Sequence, residues 1–232
     1  MSGADELRAH LAVPEDARGA KWRHQFYDLI DTTRLTQRDP KIFLGPDGFP
    51  YYALDLPAPG AEGDVSVGDL IELATNRGFG IAIEPGEERA SWVFTCGDLV
   101  TRRAFGGYEF PRIGVVPSEA PTFRAVLKRT QRMEVLAPSD AMLPAYLRPL
   151  LHVYFTRTLG IAHPGVLALV SPDQEPKEQL VFRIGHTDFA DEQAFENAIA
   201  GLTWFLPRHL VVSILPADVI DALDEAFIPL AA

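Results

Sequence analysis

Two hydrophobic rhythms alternate along this chain, one of three to four residues and one of two, and their order predicts its elements. Trp22, Phe26, Leu29 and Ile30 share one helical face, with Pro14, Glu15 and Asp16 at its mouth, so a helix is expected over 15–31. Ahead of it, residues 1–10 read as a polar, frayed terminus. Residues 41–44 and 49–56 read as strands joined by Gly45-Pro46-Asp47-Gly48, a turn because proline presets φ and Asp-Gly tolerates positive φ. Pro50 is expected to confine its strand to a sheet edge. A loop rich in Pro and Gly over 57–64 leads to Ser66, which forms a capping-box pattern with Asp69, and Gly78 is expected to stop that helix. Strands at 80–84 and 91–95 and a helix over 98–104 complete an α-β-β-α-β-β-α order.

Residues 105–120 hold Gly106, Gly107, Pro111, Gly114 and Pro117 and read as a linker, followed by a helix over 121–132 and a short strand at 133–137. Pro144 opens a helix over 144–159 that is expected to bury Leu147, Leu150, Leu151, Tyr154 and Phe155, with Gly160 just past its end. Strands are expected at 166–170 and 179–184. Asp191 caps a helix to 206 that turns Phe195, Ala198, Ile199, Leu202 and Phe205 inward. The apolar run 210–215 reads as a buried strand, and Pro216 starts a last helix to 226. The fold class expected is α/β (α+β), with two small mixed-sheet units and helices packed on them. Their bounds are 1–110 and 140–232, joined by a linker over 111–139 that carries the basic amphipathic helix.

A chain of 232 residues, 47% of them hydrophobic, has ample material for a core. Its 32 acidic against 21 basic residues give a net charge of −11, which repels phosphate backbones and anionic lipid heads. Nucleic acid and membrane partners are therefore not expected. No apolar run reaches the length of a bilayer span, and no basic-then-apolar leader opens the chain, so a cytoplasmic protein is expected. The single Cys96 excludes an intramolecular disulfide and any multi-cysteine metal site.

That cysteine also carries the sharpest chemical hypothesis. It follows the apolar strand Trp92-Val93-Phe94-Thr95, precedes a helix, and stands six residues before Arg102. A Cys-x5-Arg spacing at a strand-to-helix turn is how cysteine phosphatases aim backbone N–H groups and a guanidinium at a phosphate. Leu99 and Val100 favour a core instead, and Asp98 would repel the anion. Cys96 and Arg102 are thus catalytic candidates, with a buried, inert thiol as the plainer reading. The six histidines, His10, His24, His152, His163, His186 and His209, form no i, i+4 pair, and His186 with Asp188 reads as a loop histidine beside a capping aspartate. Nucleotide, hydrolase and metal motifs are absent, and no cofactor or metal is expected. Arg124, Lys128 and Arg132, with Arg129 beside them, line one helical side and are the binding candidates, suited to an acidic protein partner.

The segments Phe26-Tyr27-Asp28-Leu29, Asp47-Gly48-Phe49-Pro50-Tyr51-Tyr52 and Gly78-Phe79-Gly80-Ile81-Ala82-Ile83-Glu84-Pro85 together resemble the amino-terminal region of the SseB (enhanced serine sensitivity) family. The α-β-β-α-β-α order from Pro144 onward resembles that family's carboxy-terminal region. The resemblance implies the two-unit fold and brings no catalytic residues. The function expected is a binding or adaptor module. One alternative is a small cysteine-dependent hydrolase using Cys96 and Arg102. Another is an obligate, self-associating subunit with Tyr51, Tyr52, Phe105 and Tyr108 at its interface.

Overall fold

The computed structural model of the chain describes residues 2–86, 89–109, 133–171 and 177–230. They belong to two compact units, 1–109 and 110–232, each with helices and a mixed sheet. The first unit runs α1 (Gly3–Leu11), α2 (Ala20–Ile30), β1 (Thr36–Leu44), β2 (Pro50–Asp55), α3 (Val67–Arg77), β3 (Gly80–Pro85), β4 (Ala90–Phe94) and α4 (Cys96–Phe105). Its sheet has the order β1-β2-β3-β4, with β2 and β3 parallel and the outer pairs antiparallel. Parallel neighbours need a crossover, and α3 is that crossover. Because side chains alternate along strands, Leu54, Ile81, Ile83 and Phe94 share one sheet face, and they join Phe26 and Ile30 of α2, Ile71 and Ala74 of α3, and Leu99 of α4 in one buried core.

The capping signals at α3 place its ends as expected. Ser66 accepts the Asp69 N–H, the Asp69 carboxylate accepts the Ser66 N–H, and Gly78 closes the helix at φ 68°, where a side chain would be strained. The amino terminus departs from expectation. Instead of a frayed segment, α1 is capped by a Ser2/Asp5 box and buries Ala4, Leu7 and Leu11, an i, i+3, i+7 stripe spread thinly among polar residues. The helix expected over 15–31 starts at Ala20, after a single 3-10 turn at Glu15–Ala17. Pro50 does not mark an edge: it is the first residue of the interior strand β2, where a missing N–H costs little. The edge strand is β1, and Pro40 lies where its register with β2 shifts between Gln37 and Ile42.

The second unit contains β5 (Glu134–Leu136), α5 (Arg148–Val153), β6 (Gly165–Val170), β7 (Glu178–Phe182), α6 (Glu192–Phe205), β8 (Val212–Ser213), α7 (Ala217–Ala222) and β9 (Ile228–Pro229). The sheet order is β5-β6-β7-β8, with β9 also paired to β6, and only β7 and β8 run parallel. β5 belongs to this sheet, so the unit takes in residues upstream of the boundary drawn at 140. The helix expected over 144–159 is three segments: a 3-10 turn, α5 with Pro149 in its first turn, and a π-helical stretch at Tyr154–Thr158. The wider turn keeps neighbours Tyr154 and Phe155 both inside, where Tyr154 donates to the Ala198 carbonyl at 3.0 Å and Phe155 stacks on Phe182. The run 210–215 is not a fully buried strand. Two of its residues pair, at the sheet edge, and among the six only Ser213 and Leu215 are buried. Leu167, Leu169 and Val181 of the sheet meet Leu215 and Ile220 in a core of their own.

Candidate functional site

A strand-to-helix turn does stand at Cys96, yet Thr95, Asp98 and Arg102 around it are already engaged within the fold. Thr95 follows β4 and caps α4: its hydroxyl accepts the Asp98 N–H at 3.1 Å, and the Asp98 carboxylate accepts the Thr95 N–H at 2.9 Å. The positive end of the helix thus holds its own carboxylate. Cys96 has no exposed surface, and burial, seconded by the Asp98 charge, pushes its thiol up to about 12. A nucleophilic cysteine needs the opposite shift.

Arg102 does not converge on that thiol. Six residues along a helix rotate a side chain by about 240°, onto a different face. There its Nε donates to Asp31 at 2.6 Å, while the Tyr108 hydroxyl donates to the other Asp31 oxygen at 2.5 Å. The Asp31 hydrogen bond holds the Arg102 guanidinium above its ordinary range, and burial followed by the Asp31 charge drives the Tyr108 phenol upward. The three groups tie the end of α2 to α4.

Two of the histidines, His10 and His186, are likewise taken up locally. His10 stacks on Trp22 at 4.7 Å, and its Nε2 lies 2.8 Å from the Trp22 carbonyl oxygen. His186 packs over Phe195 and lies 3.0 Å from Glu192, while the Asp188 carboxylate accepts the Gly185 N–H at 2.8 Å. That is the capping arrangement expected of a loop histidine beside an aspartate. Among the described residues no group of three or more His, Cys, Asp or Glu side chains is gathered for a metal ion. One concavity of about 430 Å³ is lined by residues 221–226, a single stretch of chain. Arg124, Lys128, Arg129 and Arg132 lie outside the described residues.

Of the aromatics expected at an interface, Tyr51 is buried and donates to Asp47 at 2.5 Å, Tyr108 is held by Asp31, and Phe105 is partly exposed. Tyr52 does reach a surface feature, one the sequence reading passed over. Ile42 of β1 is 41% exposed and Leu44 is 72% exposed, and across the hairpin they stand opposite Tyr52 and Pro50. The Tyr52 ring in turn lies 5.7 Å from Phe79. An apolar strip therefore runs off the core face of the sheet onto its open edge. The signal in the sequence was Ile42-Phe43-Leu44, three apolar residues in a row on a strand that has only one covered side.

The backbone of this edge is also available. Gly45 donates to the Phe49 carbonyl at 2.8 Å and closes the hairpin. Antiparallel pairs alternate between bonded and non-bonded, so Phe43 directs its polar groups to Tyr51, while Ile42 and Leu44 direct theirs outward. Among the described residues no helix is long and apolar enough to cross a membrane. No protein-family model matches the chain, and no curated protein or solved structure matches it significantly.

Proposed function

We propose that this chain is a protein-binding module, adaptor-like in role, that receives its partner along the β1 edge. The observation that supports this reading is the coincidence of exposed Ile42 and Leu44 with outward backbone groups on an edge strand. Side-chain burial supplies affinity there, and main-chain hydrogen bonds supply register. A membership in or near the SseB-like family accords with this role and rests on the order of elements. The thiol-hydrolase alternative is weakened by the buried Cys96 and by the Asp31 partner of Arg102. The test replaces Ile42 and Leu44 with lysine together and compares the retained proteins with those held by the wild-type chain, beside a melting curve. Loss of a specifically retained protein with unchanged melting supports the module. Equal retention by both, or turnover of an aryl phosphate that Cys96→Ser abolishes, overturns it.

A further inference from the structure

We infer that a second copy of this chain is an occupant of the β1 edge, the two strands pairing antiparallel about a two-fold axis at Phe43. This rests on reading the edge as a binding surface and names the partner it fits. Pro40 and Pro46 stand three residues to either side of Phe43, and neither offers an N–H. Between them the outward positions are Ile42 and Leu44. The edge thus reads the same from both ends: proline, an apolar residue with a free donor and acceptor, another such residue, proline.

A two-fold axis at Phe43 sets Ile42 of one copy against Leu44 of the other. Each N–H of that pair meets the other's carbonyl, and the pair occurs twice. Beyond the pair on either side stands a proline, at the register shift of β1 or in the hairpin turn, and neither brings an N–H donor to the end of the ladder. A shift by one residue would set outward groups against inward ones, and a shift by two would place an N–H donor opposite a proline. The register that satisfies the backbone also lays exposed Ile42 beside exposed Leu44 on the same sheet face. At each end Lys41 of one copy comes to the Gly45–Gly48 turn of the other, which carries Asp47, so opposite charges meet. The sheet formed is continuous across both copies, eight strands in place of the four in each first unit.

So short a ladder buries less than the roughly 1,200 Å² of a stable interface, so the association is a transient one, at roughly micromolar to millimolar concentrations. Sedimentation equilibrium of the full chain over that range should show a monomer–dimer equilibrium. Replacing Ile42 and Leu44 together with lysine should abolish it without altering melting. A second reading comes from cross-linking. Across the axis the two Phe43 positions form a non-bonded antiparallel pair, with Cα atoms about 4.5 Å apart, within the range a disulfide accepts. Phe43→Cys should therefore oxidise to a covalent dimer that migrates at twice the chain mass, while Gln37→Cys should not. A monomer at every concentration with no Phe43→Cys dimer overturns the inference, as does a dimer that survives the lysine pair. If the wild type is monomeric yet still retains a different protein through Ile42 and Leu44, self-pairing fails and the protein-binding reading stands.

Discussion

At Cys96 a sequence pattern for chemistry and a sequence pattern for packing occupy the same residue, and burial decides between them. The thiol has no exposed surface, and its flank Leu99 is buried with it. A thiol ordinarily near 9.0 that is raised to about 12 stays neutral in the folded chain while the unfolded chain ionises. Its contribution to stability is thus fully present below pH 9.0 and is lost as the pH rises through 12. Alkaline melting curves should show stability falling from about pH 9 by at most about 1.4 kcal/mol per pH unit from this group, and Cys96→Ala should flatten the first part of that fall. The same substitution should cost about 1 kcal/mol at neutral pH, since it removes one buried heavy atom. Native alkylation by iodoacetamide should be far slower than alkylation of the unfolded chain at both pH 7 and pH 9, because the buried thiol stays protonated and out of reach. A fast native reaction would restore the thiol to the list of nucleophiles.

Among the elements, α1 and α2 are held by two different devices. α1 contributes Leu7, fully buried, and is pinned through reciprocal contacts in which Trp22 Nε1 donates to the His10 carbonyl at 3.0 Å beneath the stacked His10 ring. Leu7→Ala should therefore destabilise the first unit by about 2–5 kcal/mol in urea unfolding, far more than a frayed terminus allows. α2 ends in Asp31, whose carboxylate takes both Arg102 and Tyr108 and whose side chain is only 15% exposed. Removing it leaves a guanidinium and a phenol without their acceptor. Asp31→Ala should cost about 1–3 kcal/mol. Because Arg102 is committed to this tie, millimolar inorganic phosphate should leave the melting temperature of the wild-type chain unchanged. A rise in melting temperature that Arg102→Lys removes would show an anion site instead. Asp31 was invisible as a partner from the sequence, since it stands 71 residues from Arg102 and no local rhythm links them.

For the whole molecule, a charge of −11 sets how two copies meet. Like-charged chains repel at neutral pH, and salt screens that repulsion over about 8 Å. Self-association along β1 should therefore strengthen with added salt and as the pH falls toward the isoelectric point of 5.0, the reverse of a partner steered by opposite charge. Light scattering across a salt series checks the sign. Local chemistry in the sequence was enough to specify the ends of α3, the Asp191 cap of α6, and the hairpin turn at 45–48, because each is satisfied by residues three or four apart, whereas the Thr95/Asp98 box that starts α4 at Cys96 went unread. The alternation of large apolar residues likewise marked β3 and β4, whose inward faces help fill the first core. Where pattern was sparse, as in α1, or apolar without alternation, as at 210–215, it misjudged the element, because hydrophobicity reports burial and not backbone geometry. What only the tertiary structure decided was neighbourhood. Strand order turned β1 into an open edge, helix rotation separated Cys96 from Arg102, and packing gave Arg102 to Asp31. These are long-range pairings, and their free energy comes from surfaces that meet only after the chain has folded.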